Sequence, residues 1–252
     1  MSLGQDVSLD LPLPSSVLAI GAHPDDIEFE CGASLAKWGA AGAAVHFVVC
    51  TDGSKGTWDV DADTNALIAR RAAEQQAAAQ RIHRDARVHL LSAVDGELTN
   101  TVERRGELAR IIRETSPDIV LGHDPWRRWR MHPDHRAAGF LTVDAVVAAR
   151  DPHYNRDHMA DGLTHHRPTT LLLFECEEPN HVESLGSLHL DAKVEALLAH
   201  RSQFETTMAI DSDDDGSQAA AFADRIRSTA HEQGHIAGVE LGEAFRVMDP
   251  AS

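Results

Sequence analysis

Short apolar, β-branched runs at 17–20, 45–49, 88–91, 119–121 and 169–174, with a weaker sixth at 245–248, recur along the chain. Runs of this length bounded by turn residues predict strands. Between them, and beyond the fifth, lie Ala-, Arg- and Glu-rich stretches of helical length at 33–39, 66–83, 102–114, 135–149, 191–200 and 218–234. Regular alternation of strand and helix predicts an α/β fold, here a Rossmann-like three-layer sandwich with a mostly parallel central sheet. Ser116-Pro117-Asp118 is the expected turn between the third long helix and the fourth strand. No internal repeat is visible. Residues 1–14 are polar and Pro-punctuated, and Met1-Ser2-Leu3 resembles a cloning leader. They are set apart as a flexible leader, leaving 15–252 as a single domain.

Composition narrows the choice of partner more than the choice of fold. The chain has 252 residues, 42% of them hydrophobic, enough for one substantial core. A formal net charge of −17 argues against nucleic acid and anionic membrane as main partners, since both require clustered cations. Trp126-Arg127-Arg128-Trp129-Arg130 interleaves aromatic and basic residues. It is one short run in an acidic protein, and is read as a pocket-side loop over a substrate. No apolar stretch approaches the roughly 20 residues that span a bilayer, and a cytoplasmic location is expected. Cys31, Cys50 and Cys176 are odd in number and contain no Cys-x-x-Cys pair, so neither a disulfide framework nor a thiolate metal site is indicated.

The candidate chemistry sits where two of the predicted strands end. Gly21-Ala22-His23-Pro24-Asp25-Asp26 leaves the first, and His132-Pro133-Asp134-His135 lies beyond the fourth. In a doubly wound sheet of order 3-2-1-4-5 those strands are neighbours, and ligands bind outside their carboxyl ends. His23, Asp26 and His135 supply two imidazoles and a carboxylate, the three protein ligands a catalytic zinc usually takes. Asp25 is then free to act as a base, and His132 to stabilise an oxyanion or protonate a leaving amine, with Asp134 orienting its ring. The two motifs have blander readings: Asp25 and Asp26 as helix caps, and His132 and His135 as surface residues beside a Pro-initiated helix. Two His and one carboxylate also make the facial triad of non-haem iron oxygenases, and a metal-dependent sugar-binding protein without turnover is a third class. The added acid–base groups favour a hydrolase. Asp52-Gly53-Ser54-Lys55-Gly56 lacks the spacing of a nucleotide phosphate loop, but lies beside the expected site.

These motifs resemble those of the LmbE-like, or PIG-L, family of zinc-dependent N-acetylglucosaminyl deacetylases. The resemblance extends to Arg71-Ala72-Ala73-Glu74, to Asp95-Gly96-Glu97-Leu98, to the stretch from Lys193 through His200 to Ser202-Gln203, and to Glu243-Ala244-Phe245-Arg246, so it covers about residues 16 to 248. It implies a deacetylase acting on an N-acetylated amino sugar or its conjugate, or an amidase of mycothiol conjugates. Zinc would be bound by His23, Asp26 and His135, with iron(II) an alternative occupant in cells. It also implies Asp25 as base, His132 held by Asp134 as second catalytic group, and Arg71 and Asp95 as contacts to sugar hydroxyls. Family members are often oligomeric, which makes a homo-oligomer a candidate assembly. The chain departs from the family pattern at Glu30, where many members have Gly, and at Arg130, where the mycothiol-pathway enzyme has a catalytic Tyr. Arg130 is taken as a further substrate contact, and the sole tyrosine, Tyr154, as the one phenol able to replace that Tyr.

Overall fold

The computed structural model describes residues 7–251. Among them, eight strands form one sheet: β1 (Ser8–Leu9), β2 (Ser16–Gly21), β3 (Ala44–Thr51), β4 (Arg87–Ala93), β5 (Ile119–His123), β6 (Thr170–Phe174), β7 (His181–Ser184) and β8 (Gly242–Met248). The sheet order is β1-β7-β8-β6-β5-β2-β3-β4. Its parallel half, β4-β3-β2-β5-β6, has the order expected from the sequence. β8 runs antiparallel to both β6 and β7, and β1 pairs parallel with β7.

Every residue of β2 and β5 is buried. Strands covered on both faces have no need of a polar side, which explains their unbroken apolar runs. Successive side chains of β2 serve opposite layers. Val17 and Ala19 pack with Ile27, Leu35, Trp38 and Phe47 beneath helices α1 (Asp26–Ala40), α2 (Thr64–Ile82) and α6 (Ser187–Leu197). Leu18 and Ile20 pack with Leu108, Ile112 and Leu141 of α3 (Val102–Thr115) and α4 (Pro133–Arg150). The remaining helices are the short α5 (Arg156–Ala160) and α7 (Ser217–His235). The carboxylates of Asp214 and Asp215 accept first-turn amides of α7, so the acidic run there acts as a helix cap.

Several elements differ from the sequence expectation. α1 begins at Asp26 instead of residue 33, because Glu28 and Glu30 interrupt the apolar pattern of its first turns. β1, β7 and α5 are too short to give a periodic signal. Residues 1–6 of the segment set apart as a leader lie outside the described residues, and the rest of it touches the sheet. There Asp10 accepts from the Ser184 amide at 2.8 Å and pairs with Lys37 at 2.6 Å, and the Leu11 amide donates to Glu183 at 2.7 Å. Among the described residues, no helix is long and apolar enough to cross a membrane.

Candidate metal centre and active site

The loops leaving β2, β3 and β5 meet at the carboxyl edge of the sheet, beside the strand where its winding reverses. After β2 the chain turns sharply into α1. Asp25 is the residue before the helix, at φ 103° and ψ −29°, a left-handed conformation that costs a non-glycine residue energy. Its side chain makes no capping bond. Asp26 reaches backward, its Oδ2 accepting from the amides of Ala22 at 3.0 Å and His23 at 2.8 Å. The Asp25 amide donates to Gln75 Oε1 at 3.1 Å, and Gln75 Nε2 donates to Glu28 at 2.6 Å, so a buried polar pair holds the turn. His200 lies behind that pair, 3.6 Å from Glu28 and wholly buried.

His132 precedes α4, and its Nδ1 accepts the Asp134 amide at 3.3 Å. The ring proton therefore sits on Nε2. Asp134 does not orient this ring through its carboxylate, as the sequence suggested. It lies beneath the turn at 95–98 and accepts from the amides of Gly96 at 2.6 Å and Leu98 at 3.1 Å, and from His23 Nε2 at 3.1 Å. Its effect is to fix His23.

His23, Asp26 and His135 come together. His23 Nδ1 lies 3.3 Å from Asp26 Oδ2, and His135 Nε2 lies 3.3 Å from Asp26 Oδ1. The ring of His132 is 4.5 Å from that of His23 and 4.9 Å from that of His135. A fourth imidazole, His123, places Nε2 3.2 Å from Asp26 Oδ2. The sequence reading ended the strand at Leu121 and missed it. Its signal is position alone: His123 is the last residue of β5, at the switch point.

Potential ligand atoms of His23, His132 and His135 lie within 4.8 Å of one another, as do those of Asp26, His123 and His135. Imidazole nitrogens gathered around one carboxylate form the mixed N/O donor set suited to zinc or iron(II). The outer nitrogens of His23 and His123 meet the carboxylates of Asp134 and Glu175, the backing usual for metal-ligating histidines.

The same groups have strongly shifted proton affinities. Burial opposes a charged His23, but the charge of Asp26 and bonds to Asp134, Asp26 and Asp95 outweigh it and raise the ring to about 12. Asp26 falls well below the ordinary carboxylate range, because His23 and His123 overcome its burial. Burial raises Asp25 to about 7; Asp26 adds to the rise, while Arg71, His200 and His23 oppose it. Burial and the charge of His23 lower the proton affinity of His132. Glu30, one helical turn beyond Asp26, is raised to about 8 by burial and by Glu175.

A cavity of about 500 Å³ opens over these groups, bordered by Asp25, Glu30, Lys55, Gly56, Arg71, Asp95, His132 and Gln203 among others. The expected sugar contacts fare unequally. Arg71 is buried and donates to the carbonyls of Gly53 at 3.0 Å and Pro24 at 2.7 Å, with Asp25 3.8 Å away. A Cβ on Gly56 would lie 2.2 Å from this guanidinium, so the loop closes on Arg71 only with glycine there. Arg71 thus ties two loops together and faces Asp25. Asp95 accepts the Lys55 amide at 3.1 Å and lies 3.3 Å from His23. Arg130 borders an adjoining cavity with His132 and His135 and pairs with Glu175. Tyr154 lies against Arg105 of α3 and borders no part of the cavity.

A mostly parallel sheet carrying imidazoles and carboxylates at its carboxyl edge defines an α/β protein with a candidate metal centre. Residues 18–146 match the PIG-L family, described as GlcNAc-PI de-N-acetylase, and the chain belongs to that family. It is 36% identical over 188 residues to a diacetylchitobiose deacetylase of Thermococcus kodakarensis, covering 75% of this chain and 70% of that protein. It is 31% identical over 175 residues to a 1D-myo-inositol 2-acetamido-2-deoxy-α-D-glucopyranoside deacetylase of Streptomyces griseus, covering 59% and 53%. Among solved structures, the N,N'-diacetylchitobiose deacetylase of Pyrococcus horikoshii is similar with a TM-score of 0.82 at 31% identity, covering 94% of this chain and 85% of that one.

Proposed function

We propose that this protein is a metal-dependent N-deacetylase that hydrolyses the acetamide of an N-acetylglucosamine-type sugar, with His23, Asp26 and His135 as ligands to zinc. The observation that carries the proposal is the common placement, at one cavity, of the ligand triad, a second buried carboxylate, Asp25, and the imidazole of His132. A bound divalent ion would acidify a water and polarise the amide carbonyl. Asp25 takes the proton from the attacking water and returns it to the departing amine, which its near-neutral proton affinity suits. The neutral His132 donates its Nε2 proton to the developing oxyanion; its Nδ1, occupied by the Asp134 amide, fixes that orientation. Water adds to the carbonyl carbon, the C–N bond breaks, and acetate and a free amino sugar leave. Lys55, Asp95 and Gln203 at the cavity wall supply donors and acceptors for hydroxyls.

The test is amine release from a panel of N-acetylglucosaminides and chitooligosaccharides by metal-loaded protein, with chelated protein as control. Chelator-sensitive release from at least one sugar is expected. No such product from any of them would overturn the proposal.

A further inference from the structure

We propose that Glu175 is a positioning residue that aims two imidazoles, His123 and His135, at the metal centre, and that Arg127 and Arg130 lock it in place. The inference rests on the metal-dependent reading above, but concerns residues outside the expected ligand set.

Glu175 directly follows β6. The parallel register pairs His123 with Phe174, so Glu175 emerges beside His123. Its Oε2 lies 2.8 Å from His123 Nδ1 and 3.6 Å from His135 Nδ1. The opposite nitrogens of the same rings face the two oxygens of Asp26, His123 Nε2 at 3.2 Å from Oδ2 and His135 Nε2 at 3.3 Å from Oδ1. One carboxylate thus backs both rings on the side away from the ligand they share. Among the described residues, His135 Nδ1 has no hydrogen-bond partner, so a small rotation of Glu175 is what would fix that ring.

Two further observations mark Glu175 as more than a surface acid. Its backbone sits at φ 57°, a left-handed value that a non-glycine residue holds only when its surroundings enforce it. Arg130 Nη2 pairs with the same Oε2, and Arg127 Nη1 lies 3.4 Å from Oε1. Both arginines belong to the loop that runs on to His132. That loop is therefore tied to the rings of His123 and His135 through one carboxylate. Glu175 lies outside the lining of the cavity over the metal centre, while Arg127 and Arg130 border an adjoining cavity beside His132 and His135.

Backing groups of this kind typically set metal affinity by about 10- to 100-fold. The experiment titrates cobalt(II) into the full-length, metal-stripped protein without sugar, reading affinity and the visible absorption of the bound ion. Glu175→Ala is expected to weaken binding by about 10-fold or more and to alter the spectrum. Glu175→Gln, which keeps an acceptor but loses the charge, should fall between Ala and wild type. Arg130→Gln, on an exposed loop, should weaken binding in the same direction by a smaller factor, and serves as the test if Glu175→Ala does not fold. Wild-type affinity and spectrum in folded Glu175→Ala, or in Arg130→Gln where the former does not fold, would overturn the inference alone. Failure of the wild-type protein to bind cobalt(II) would overturn the metal-dependent reading beneath it.

Discussion

Asp25 and Asp26 are identical side chains on adjacent residues, and their surroundings drive them apart. Asp26 meets three imidazoles and two backbone amides and is held ionised; Asp25 is buried beside Asp26 and holds its proton to about 7. Asp25→Asn is accordingly expected to keep cobalt(II) affinity near the wild-type value while lowering kcat by about 100- to 10,000-fold. Loss of metal together with activity would move Asp25 into the ligand set. A second residue-scale prediction lies away from the site. Burial, His89 and Arg87 lower His46 from 6.5 to about 4, so the fold keeps it neutral while the unfolded chain protonates it. Stability from this residue is complete above pH 6.5 and is lost as pH falls towards 4. Thermal melts at stepped pH should show a shallower acid-side loss of Tm in His46→Leu than in wild type. The residues legible in sequence were those clustered in short motifs at strand ends. His123, Glu175 and Gln75 belong to no such motif, and only the packing of β5, β6 and α2 brings them to the site.

The elements that position the site are the buried central strands and the two loops that Arg71 joins. Leu18→Ala in β2 removes a side chain with no exposure, and its cost is expected at about 2–5 kcal/mol in denaturant unfolding. Arg71→Met should act differently. Freed from Gly53 and Pro24, the loop at 53–56 loses its anchor and Asp25 loses a nearby cation, so kcat should fall and KM rise while cobalt(II) affinity stays unchanged. A rise in KM alone would favour the simpler role of sugar contact. The five parallel strands and their order were legible because burial on both faces demands unbroken apolar runs. The edge was not. β1 and β7 are held by backbone pairing and by polar side chains such as His181, which bonds Ser8 and Glu183 and shows no apolar period. The start of α1 was hidden for a related reason. Its first turns carry the acidic residues that build the site, and function there overrides the pattern that announces a helix.

At the scale of the whole molecule, an acidic chain concentrates imidazole and carboxylate at one cavity on the carboxyl edge of its sheet. The fold and the family follow from the sheet order and from similarity to deacetylases over most of the chain. On the proposed reading, water activated at the His23–Asp26–His135 centre cleaves an acetamide on a sugar. The most direct test incubates zinc-loaded and chelated protein with N,N'-diacetylchitobiose in heavy-oxygen water, measuring acetate, its isotopic label and free amine together. Metal-dependent hydrolysis gives equal amounts of acetate and amine, one solvent oxygen in each acetate, and neither product after chelation. Amine release without labelled acetate, or release that persists after complete removal of metal, would contradict it.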